Sequence, residues 1–521
     1  MNVIESAVNH NRHITKIDSL KYQTWEKFYT ETADKKIFLF GLGSGALYLV
    51  YKCSKKICFD GVIDNDKSKQ GYKFNNFFSY DAEANVECTI TDISILDGID
   101  PNKTAVVITS TVYYEEIYAQ LQEIGINNIY SLLHMELNGN AYSENNNIEK
   151  EYKINDKKLI FYTRGSYSGH SKYIAEALLN IRNDLELVWI VNDISISVPE
   201  GIRKIDEKMP YIVDCEMKTS KVWIYETLIP PRYVKAPEQI YIQTKHWSSI
   251  TLKTFGIDLN KFRNSLKGIE HCQQDGAMMD YMFFGSDFDE ETCRRGYNFQ
   301  GRGIRVGSPR SDILFNSVNI RKNVYNSCGI DEKIHTLLYA PTFSYVDTDS
   351  GMKEEMRDID LDFAKLKKTL EIRFGGEWNI MLRLHPWVAA KSKEIEKPEY
   401  VIDVSDYQDS QELVAASDIM ITDYSSIMFE PAFVHKPVFL FASDRKNFIN
   451  VERELLIDYD TLPFPIAENN DELSKNIVEF NMEMYVNNVD LFMKKYGVNE
   501  DGHASERAAK FISDLIGEKE E

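Results

Sequence analysis

The sequence is poor in cysteine: its 521 residues include seven, and no two of them have the Cys-x-x-Cys spacing. An odd number of scattered cysteines predicts neither a disulfide framework nor a zinc ribbon, and indicates a reducing compartment. Long apolar runs are also missing, because none approaches the ~18 residues of a spanning helix and the N-terminus lacks the apolar core of a signal peptide. Positive charge is scarce too, since the 60 Lys and Arg residues are outnumbered by 81 Asp and Glu residues, which gives a formal net charge of -21. We therefore expect a cytoplasmic protein that binds no nucleic acid.

Strand-like apolar runs alternate with helical patterns along most of the chain, which is typical of doubly wound α/β domains. The alternation predicts a Rossmann-like block at residues 1–140, a polar linker at 141–157, and two further blocks at 158–330 and 331–521. A chain of this length suits about three domains of roughly 100 to 200 residues each.

The first block carries a glycine motif. Gly41, Gly43 and Ala46 follow a predicted strand and open a helix, and Asp64 ends the next strand about 20 residues later, as in dinucleotide-binding folds. The same residues also suit a tight turn that only permits close helix packing. Both interpretations stay open, and neither predicts redox chemistry.

The segment SDIMITDYSSIMFE at 417–430 predicts a phosphate site, because a buried strand is followed by a turn and a capped helix. Asp423 is the turn residue, and Ser425 or Ser426 is the N-cap. The N-terminus of a helix attracts anions. Glu430 lies one helical turn beyond Ser426, where its carboxylate suits a ribose. An ordinary capped helix with a buried acid fits this segment equally well.

Two more strand ends add polar groups at the same predicted sheet edge. NIMLRLHPW at 379–387 ends in Arg383 and His385, and LLYAPTFS at 337–344 contributes Thr342. Arginine suits bidentate phosphate recognition, and histidine exchanges protons near neutral pH. Since the chain is acidic overall, an anionic donor needs local cations, for which Arg383, Arg310 and Lys253 are candidates.

Five segments together resemble the CDP-glycerol glycerophosphotransferase family, the teichoic-acid primases and polymerases. They are QTKHWSSITLKTFG at 243–256, VGSPRSDIL at 306–314, LYAPTFS at 338–344, RLHP at 383–386 and SDIMITDYSSIMFEPAFVHKPVFLF at 417–441. The resemblance covers roughly residues 158–516. One departure is that the family usually places a Gly-Thr-Pro-like turn after its first histidine, whereas His246 is followed by Trp247.

The resemblance implies a GT-B-like pair of Rossmann-like domains facing a crevice, preceded here by the further α/β block. It also implies transfer of a polyol phosphate from a CDP-linked donor to a lipid-linked glycan or polyol-phosphate acceptor, with release of CMP. By this resemblance His246 is the base, and His385 with Arg383 steadies the pyrophosphate. The remaining donor residues are Thr342, Asp423, Ser425, Ser426, Glu430 and Arg310. We expect the enzyme to work at the inner face of the cytoplasmic membrane as a peripheral protein.

A Gly/Ser loop opens the second block, and Gly165, Ser166 and His170 within it, together with Lys253, are candidates for holding the acceptor. A plain strand-to-helix turn explains that loop at least as well. No cluster of Asp, Glu, His or Cys has metal-ligand spacing, so the sequence predicts no tightly held metal. Two alternative functions stay open: a GT-B glycosyltransferase using a nucleotide sugar, and a non-catalytic assembly protein. Glycerol and ribitol donors are not distinguished.

Overall fold

The structure is a computed structural model of the chain. It describes residues 23–42, 46, 49, 59–67, 69–73, 88–110, 113–132, 134–135, 153–207, 210–258, 266–348, 351–355, 359–385, 397–449 and 454–517. Contacts divide the chain into two compact units, residues 1–153 with 203–219 and residues 154–202 with 220–521. The predicted linker at 141–157 lies mostly outside the described residues.

The first sheet has five parallel strands: β1 (Lys36–Phe40), β2 (Gly61–Ile63), β3 (Ile90–Thr91), β4 (Thr104–Ile108) and β5 (Asn128–Ser131). Their order is β3-β2-β1-β4-β5. All five residues of β4 are buried. A parallel sheet covered on both faces requires such continuous apolar strands. The described helices here are α1 (Trp25–Thr32) and α2 (Tyr114–Glu123).

The second sheet has seven strands: β6 (Asn155–Tyr162), β7 (Glu186–Val191), β8 (Ile202–Asp206), β9 (Ser220–Tyr225), β10 (Ile240–Gln243), β11 (Tyr281–Phe284) and β12 (Arg302–Arg305). Their order is β12-β11-β10-β9-β6-β7-β8. The helices along this stretch of chain are α3 (Gly169–Ile181), α4 (Pro210–Thr219), α5 (Leu266–Met278), α6 (Asp287–Gly296) and α7 (Val318–Cys328).

The third sheet contains β13 (His335–Ala340), β16 (Trp378–Leu382), β17 (Val401–Asp403), β18 (Ile419–Thr422), β19 (Val438–Phe441) and β20 (Ile466–Ala467). Their order is β17-β16-β13-β18-β19-β20, and a hairpin of β14 (Ser344–Thr348) and β15 (Gly351–Glu355) follows β13. The helices are α8 (Phe363–Phe374), α9 (Ser410–Ala416), α10 (Phe429–Ala432), α11 (Arg445–Asn447), α12 (Asn470–Val478), α13 (Met482–Lys495) and α14 (Ala504–Ile516).

All three sheets share one strand order. Counting strands within each sheet, every order begins 3-2-1-4-5, which is the order of doubly wound nucleotide-binding folds. The predicted α/β class is thereby confirmed. In such sheets ligands bind outside the carboxyl ends of strands 1 and 4, where the order reverses. Those strands are β6 and β9 in the second sheet, and β13 and β18 in the third.

The last helix returns to the second sheet. Ala508, Ala509 and Ile512 of α14 are buried in the same core as β6 and α3. The carboxylate of Asp312 accepts hydrogen bonds from the backbone N–H groups of Ala504 and Ser505, at 3.0 and 2.6 Å, and so fixes the start of α14. None of the described helices combines the length and apolar character that crossing a membrane requires.

Candidate active site

Three polar segments lie side by side at the carboxyl edge of the third sheet. β13 pairs in parallel with β16 on one side and with β18 on the other. The segments after these strands begin at residues 341, 383 and 423, and parallel strands end at the same edge of a sheet. The Thr342, Arg383 and Asp423 regions therefore face one crevice.

Asp423 organises this edge. Its carboxylate accepts hydrogen bonds from Thr342 N at 2.8 Å, Thr342 Oγ1 at 2.5 Å and Tyr424 N at 2.5 Å. The Tyr459 hydroxyl donates to the Asp423 carbonyl oxygen at 2.9 Å. Thr342, a predicted donor-binding residue, is thus bound to the loop that follows β18.

The two serines have different surroundings. Ser425 caps a short 3₁₀ helix, Ser426–Met428, which α10 continues. Ser426 Oγ accepts a hydrogen bond from Leu252 N at 3.0 Å and lies 3.0 Å from Thr251 Oγ1. The segment after His246 is therefore attached to a serine that the sequence predicts to bind the donor.

Glu430 is fully buried and forms an ion pair with Arg310. Burial raises the pKa of the Glu430 carboxyl, and Arg310 opposes that rise. Arg310 Nη1 also donates to the backbone carbonyl of His246 at 2.7 Å, so one guanidinium connects the two predicted binding regions. Gln411 lies next to the same carboxyl, and its side chain also lowers the pKa of Glu430.

Arg383 does not direct its whole guanidinium towards the crevice. Its Nη1 donates to the carbonyl oxygens of Val404 and Tyr407 at 3.1 and 2.7 Å. Burial lowers the pKa of Arg383 to about 10. At least part of this side chain supports the loop after β17.

His385 lies in a cationic environment. Its ring centroid is 4.5 Å from that of Phe343. Burial, together with smaller contributions from the charges of Arg164, Lys253 and Arg383, lowers the pKa of His385 to about 3. His385 is therefore neutral near pH 7.

His246 is exposed, while every other residue from 241 to 250 is buried. The neighbouring Trp247 points into the core, where its Nε1 donates to Asp289 at 3.1 Å and its ring stacks on Tyr297. Lys245 pairs with the same Asp289 carboxylate at 3.0 Å. The tryptophan that departs from the family pattern thus anchors the loop and leaves the His246 ring accessible.

The Gly/Ser loop leads into His170, which contacts the segment that carries His246. Gly165 has a positive φ of 79°, and the Ser166 hydroxyl donates to the Thr163 carbonyl oxygen at 2.9 Å. His170 is buried, and its Nε2 lies 2.7 Å from the Trp247 carbonyl oxygen. Burial lowers the pKa of His170 well below its usual value, so the neutral ring donates this hydrogen bond. This hydrogen bond holds the backbone of the residue after His246.

The backbone of Lys253 forms an isolated antiparallel bridge with Leu455. Leu456 N donates to Leu252 O at 2.8 Å, and Thr254 N to Glu454 O at 3.2 Å. This short pairing places the Lys253 charge near His385.

In the first sheet, Gly41 has a positive φ of 100°, and Ala46 is buried, while Gly43 lies outside the described residues. The Asp64 carboxylate accepts from Leu42 N at 2.6 Å and pairs with Lys69 at 3.2 Å. The acid after β2 thus holds the glycine turn.

Comparison with known proteins shows the family to which the chain belongs. A sequence profile of the CDP-glycerol:poly(glycerophosphate) glycerophosphotransferase family matches residues 145–514, more than half of the chain. The chain belongs to this family. Its members are named as glycerophosphotransferases, and the predicted enzyme class is confirmed.

The relatives of this glycerophosphotransferase are named as teichoic-acid enzymes. It is 26% identical over 390 residues to a teichoic acid glycerol-phosphate transferase of Staphylococcus aureus, covering 69% of this chain and 94% of the relative. It is also 26% identical over 378 residues to a teichoic acid poly(glycerol phosphate) polymerase of Bacillus subtilis, covering 69% of this chain. The match spans 49% of that polymerase, about half its length.

Solved structures of the wall teichoic acid polymerase TagF share the fold. One covers 78% of this chain and 98% of its own, with a TM-score of 0.63 and 22% identity. Another, of a variant soaked with CDPG, covers 71% of this chain and 91% of its own, with a TM-score of 0.61 and 23% identity. The likeness confirms the predicted GT-B-like architecture of this glycerophosphotransferase.

Sequence reasoning missed two residues at the crevice. Arg164 follows β6 with a positive φ of 52°, and its Nη2 lies 3.4 Å from His246 Nε2. Glu226 follows β9 and accepts from Ser171 N at 2.8 Å, close to the Cα of Gly169, where a Cβ would lie 2.3 Å from its carboxylate. Arg164 and Glu226 directly follow β6 and β9, the neighbouring strands at which the strand order reverses. That position after a strand is the signal in the sequence that could have identified them.

Proposed function

We propose that the protein transfers glycerol phosphate from CDP-glycerol to a hydroxyl of a lipid-linked glycan or of a teichoic-acid or capsule-type polymer. An acceptor oxygen forms a bond to the phosphorus that carries glycerol, and the bond from that phosphorus to the CMP oxygen breaks. The acceptor proton goes to a base, and CMP leaves. Such a reaction needs a positioned base and cations for the charge on the transferred phosphoryl group.

The observation that supports this proposal is the concentration of positive charge around the two histidines. Arg164 lies 3.4 Å from His246, and the charges of Arg164, Lys253 and Arg383 all act on His385. The chain as a whole carries a formal net charge of -21, so a local group of cations at a sheet edge is distinctive. Its sign suits a nucleoside diphosphate donor.

In this proposal the histidines have different tasks. His246 is exposed and takes the proton from the acceptor hydroxyl. His385 has a pKa of about 3, so the neutral ring donates a hydrogen bond to the departing phosphate and carries no charge itself. His385 does not protonate the departing CMP.

The donor nucleotide fits the residues after β18. Glu430 is fully buried beside Arg310 and Gln411, and its carboxylate can accept a further hydrogen bond from a hydroxyl. A ribose hydroxyl of CDP supplies that donor. Ser425 and Ser426 lie one turn earlier, where they meet the pyrophosphate, and Arg310 pairs with the Glu430 carboxyl and lowers its pKa.

We propose that the acceptor lies against the loop containing Gly165, Ser166 and His170, and that the enzyme works as a peripheral protein at the inner face of the membrane. Sedimentation with anionic vesicles tests the second statement. The expected result is salt-sensitive binding; a protein that stays in the supernatant at low salt contradicts it.

For the first block we propose a scaffolding role, because the Asp64 carboxylate is already bound to Leu42 N and Lys69. Thermal-shift titration with NAD tests this, and a raised unfolding temperature would establish the dinucleotide site instead.

A donor screen tests the proposed reaction. Purified full-length protein is mixed with CDP-glycerol, CDP-ribitol or UDP-glucose and an acceptor polymer, and nucleotide release is measured. We expect CMP from CDP-glycerol. UDP release from UDP-glucose alone would identify a glycosyltransferase, and no release from any donor, despite nucleotide binding, would identify a binding protein.

A further inference from the structure

Arg164 occupies a conspicuous place in the fold. It follows β6 directly, at the carboxyl edge of the second sheet, where the strand order reverses between β6 and β9. Its φ is 52°, in the left-handed region that residues other than glycine adopt rarely. Strained backbone of this kind persists where the surrounding structure holds it, and it is concentrated at functional sites.

The side chain of Arg164 faces the crevice. Both Arg164 and His246 are exposed, and Arg164 Nη2 lies 3.4 Å from His246 Nε2. Its charge also acts on His385, which the third sheet contributes. The guanidinium therefore lies beside the proposed base, and its charge also reaches the histidine on the third sheet.

In the proposed reaction the phosphoryl group in transfer also lies close to His246. It is bonded weakly to the incoming acceptor oxygen near His246 and to the departing CMP oxygen near His385, and negative charge spreads over its non-bridging oxygens. An arginine presents two parallel N–H donors that match two such oxygens, and it stays protonated throughout.

We infer that the Arg164 guanidinium binds the non-bridging oxygens of the phosphoryl group during transfer. This inference rests on the proposed function. The acceptor proton still passes to His246, the new phosphodiester bond forms as the bond to CMP breaks, and Arg164 gains or loses no proton.

The sharpest test replaces Arg164 by glycine, because glycine accepts a positive φ without strain. The Arg164→Gly protein should therefore fold at least as stably as the wild type, which thermal unfolding checks. Its turnover of CDP-glycerol should fall by about 100-fold or more, as for loss of a donor to a developing charge. Affinity for CDP alone, measured by calorimetry, should stay within about twofold. Added guanidinium ion should restore part of the turnover.

Two further variants complete the test. Arg164→Lys keeps the charge without the forked geometry and should recover part of the rate. Arg302→Ala removes an exposed arginine at the amino end of β12, on the opposite edge of the same sheet, and should leave turnover unchanged.

The outcomes separate this inference from the reaction. Wild-type protein that releases no CMP from CDP-glycerol would overturn the proposed function and this inference together. An active wild type with an Arg164→Gly variant of equal turnover would overturn the inference alone. A well-folded glycine variant with lost turnover and near-normal CDP affinity would support it.

Discussion

Replacing Arg310 by methionine should destabilise the protein and do so in a pH-dependent way. The Arg310 side chain is 12% exposed and its partner Glu430 is 0% exposed, so the substitution leaves a buried carboxylate without its counter-charge. Breaking a buried ion pair from one side costs about 3 to 5 kcal/mol. For a large domain this corresponds to a fall of roughly 6 to 20 °C in the unfolding temperature, at about 2 to 4 °C per kcal/mol.

The sign of the pH effect follows from the pKa of Glu430. Burial already raises this pKa, and Arg310 lowers it, so the variant carboxyl titrates at a still higher pH. An acid whose folded pKa lies above its unfolded value binds more protons in the folded state. Its destabilising effect is therefore absent at low pH and grows as pH rises through the folded pKa. The unfolding temperatures of variant and wild type should differ less at pH 5 than at pH 8.

Differential scanning fluorimetry across this pH range is the assay. The Arg310→Met/Glu430→Leu double variant is the control, because removing both charges restores an uncharged interior and should recover much of the lost stability. Equal unfolding temperatures for Arg310→Met and wild type at pH 8 would refute the reasoning. So would a double variant less stable than the single one.

Three other predictions concern single residues. His246→Asn should lower turnover by about 100-fold or more while CDP affinity stays near normal, because the base contacts the acceptor and not the nucleotide; wild-type turnover would place the base elsewhere. His385→Asn should lower turnover without moving the acid limb of the rate profile between pH 5 and 8, since the pKa of His385 is about 3, and a shifted limb would contradict this assignment. Burial raises the pKa of Glu226 from 4.5 to about 7, so wild-type stability should fall as pH rises through that interval. In Glu226→Gln the fall should be smaller, as thermal unfolding would show, and an identical pH dependence would contradict the prediction.

Strand-to-helix alternation was sufficient to predict the fold class. Apolar runs such as that of β4 are nearly continuous, and the polar segments after β13, β16 and β18 mark the sheet edge. Such local signals depend on burial and chain direction alone. They correctly indicated an α/β protein with its polar strand ends facing a crevice.

Side-chain partners were beyond such reasoning. Arg310 and Glu430 are 120 positions apart, and no local pattern reveals that they pair. Arg383 looks like a phosphate ligand at its strand end, yet Nη1 binds two backbone carbonyls once the chain has folded. Arg164 precedes a glycine-rich turn that resembles an ordinary loop, and only the sheet order places it beside His246. The roles of these residues as ligands of the donor or acceptor stay predictions.

The backbone pairing of residues 252–254 with 454–456 limits how this enzyme can be recombined with its relatives. The loop carrying His246 follows a strand of the second sheet, but Leu252 and Thr254 join it to residues 454–456 and to the Ser426 hydroxyl after β18. A chimera cut at the apparent border near residue 330 would separate these partners. A hybrid that exchanges residues 331–521 should therefore exchange residues 246–256 with them, because the two segments are hydrogen-bonded to each other.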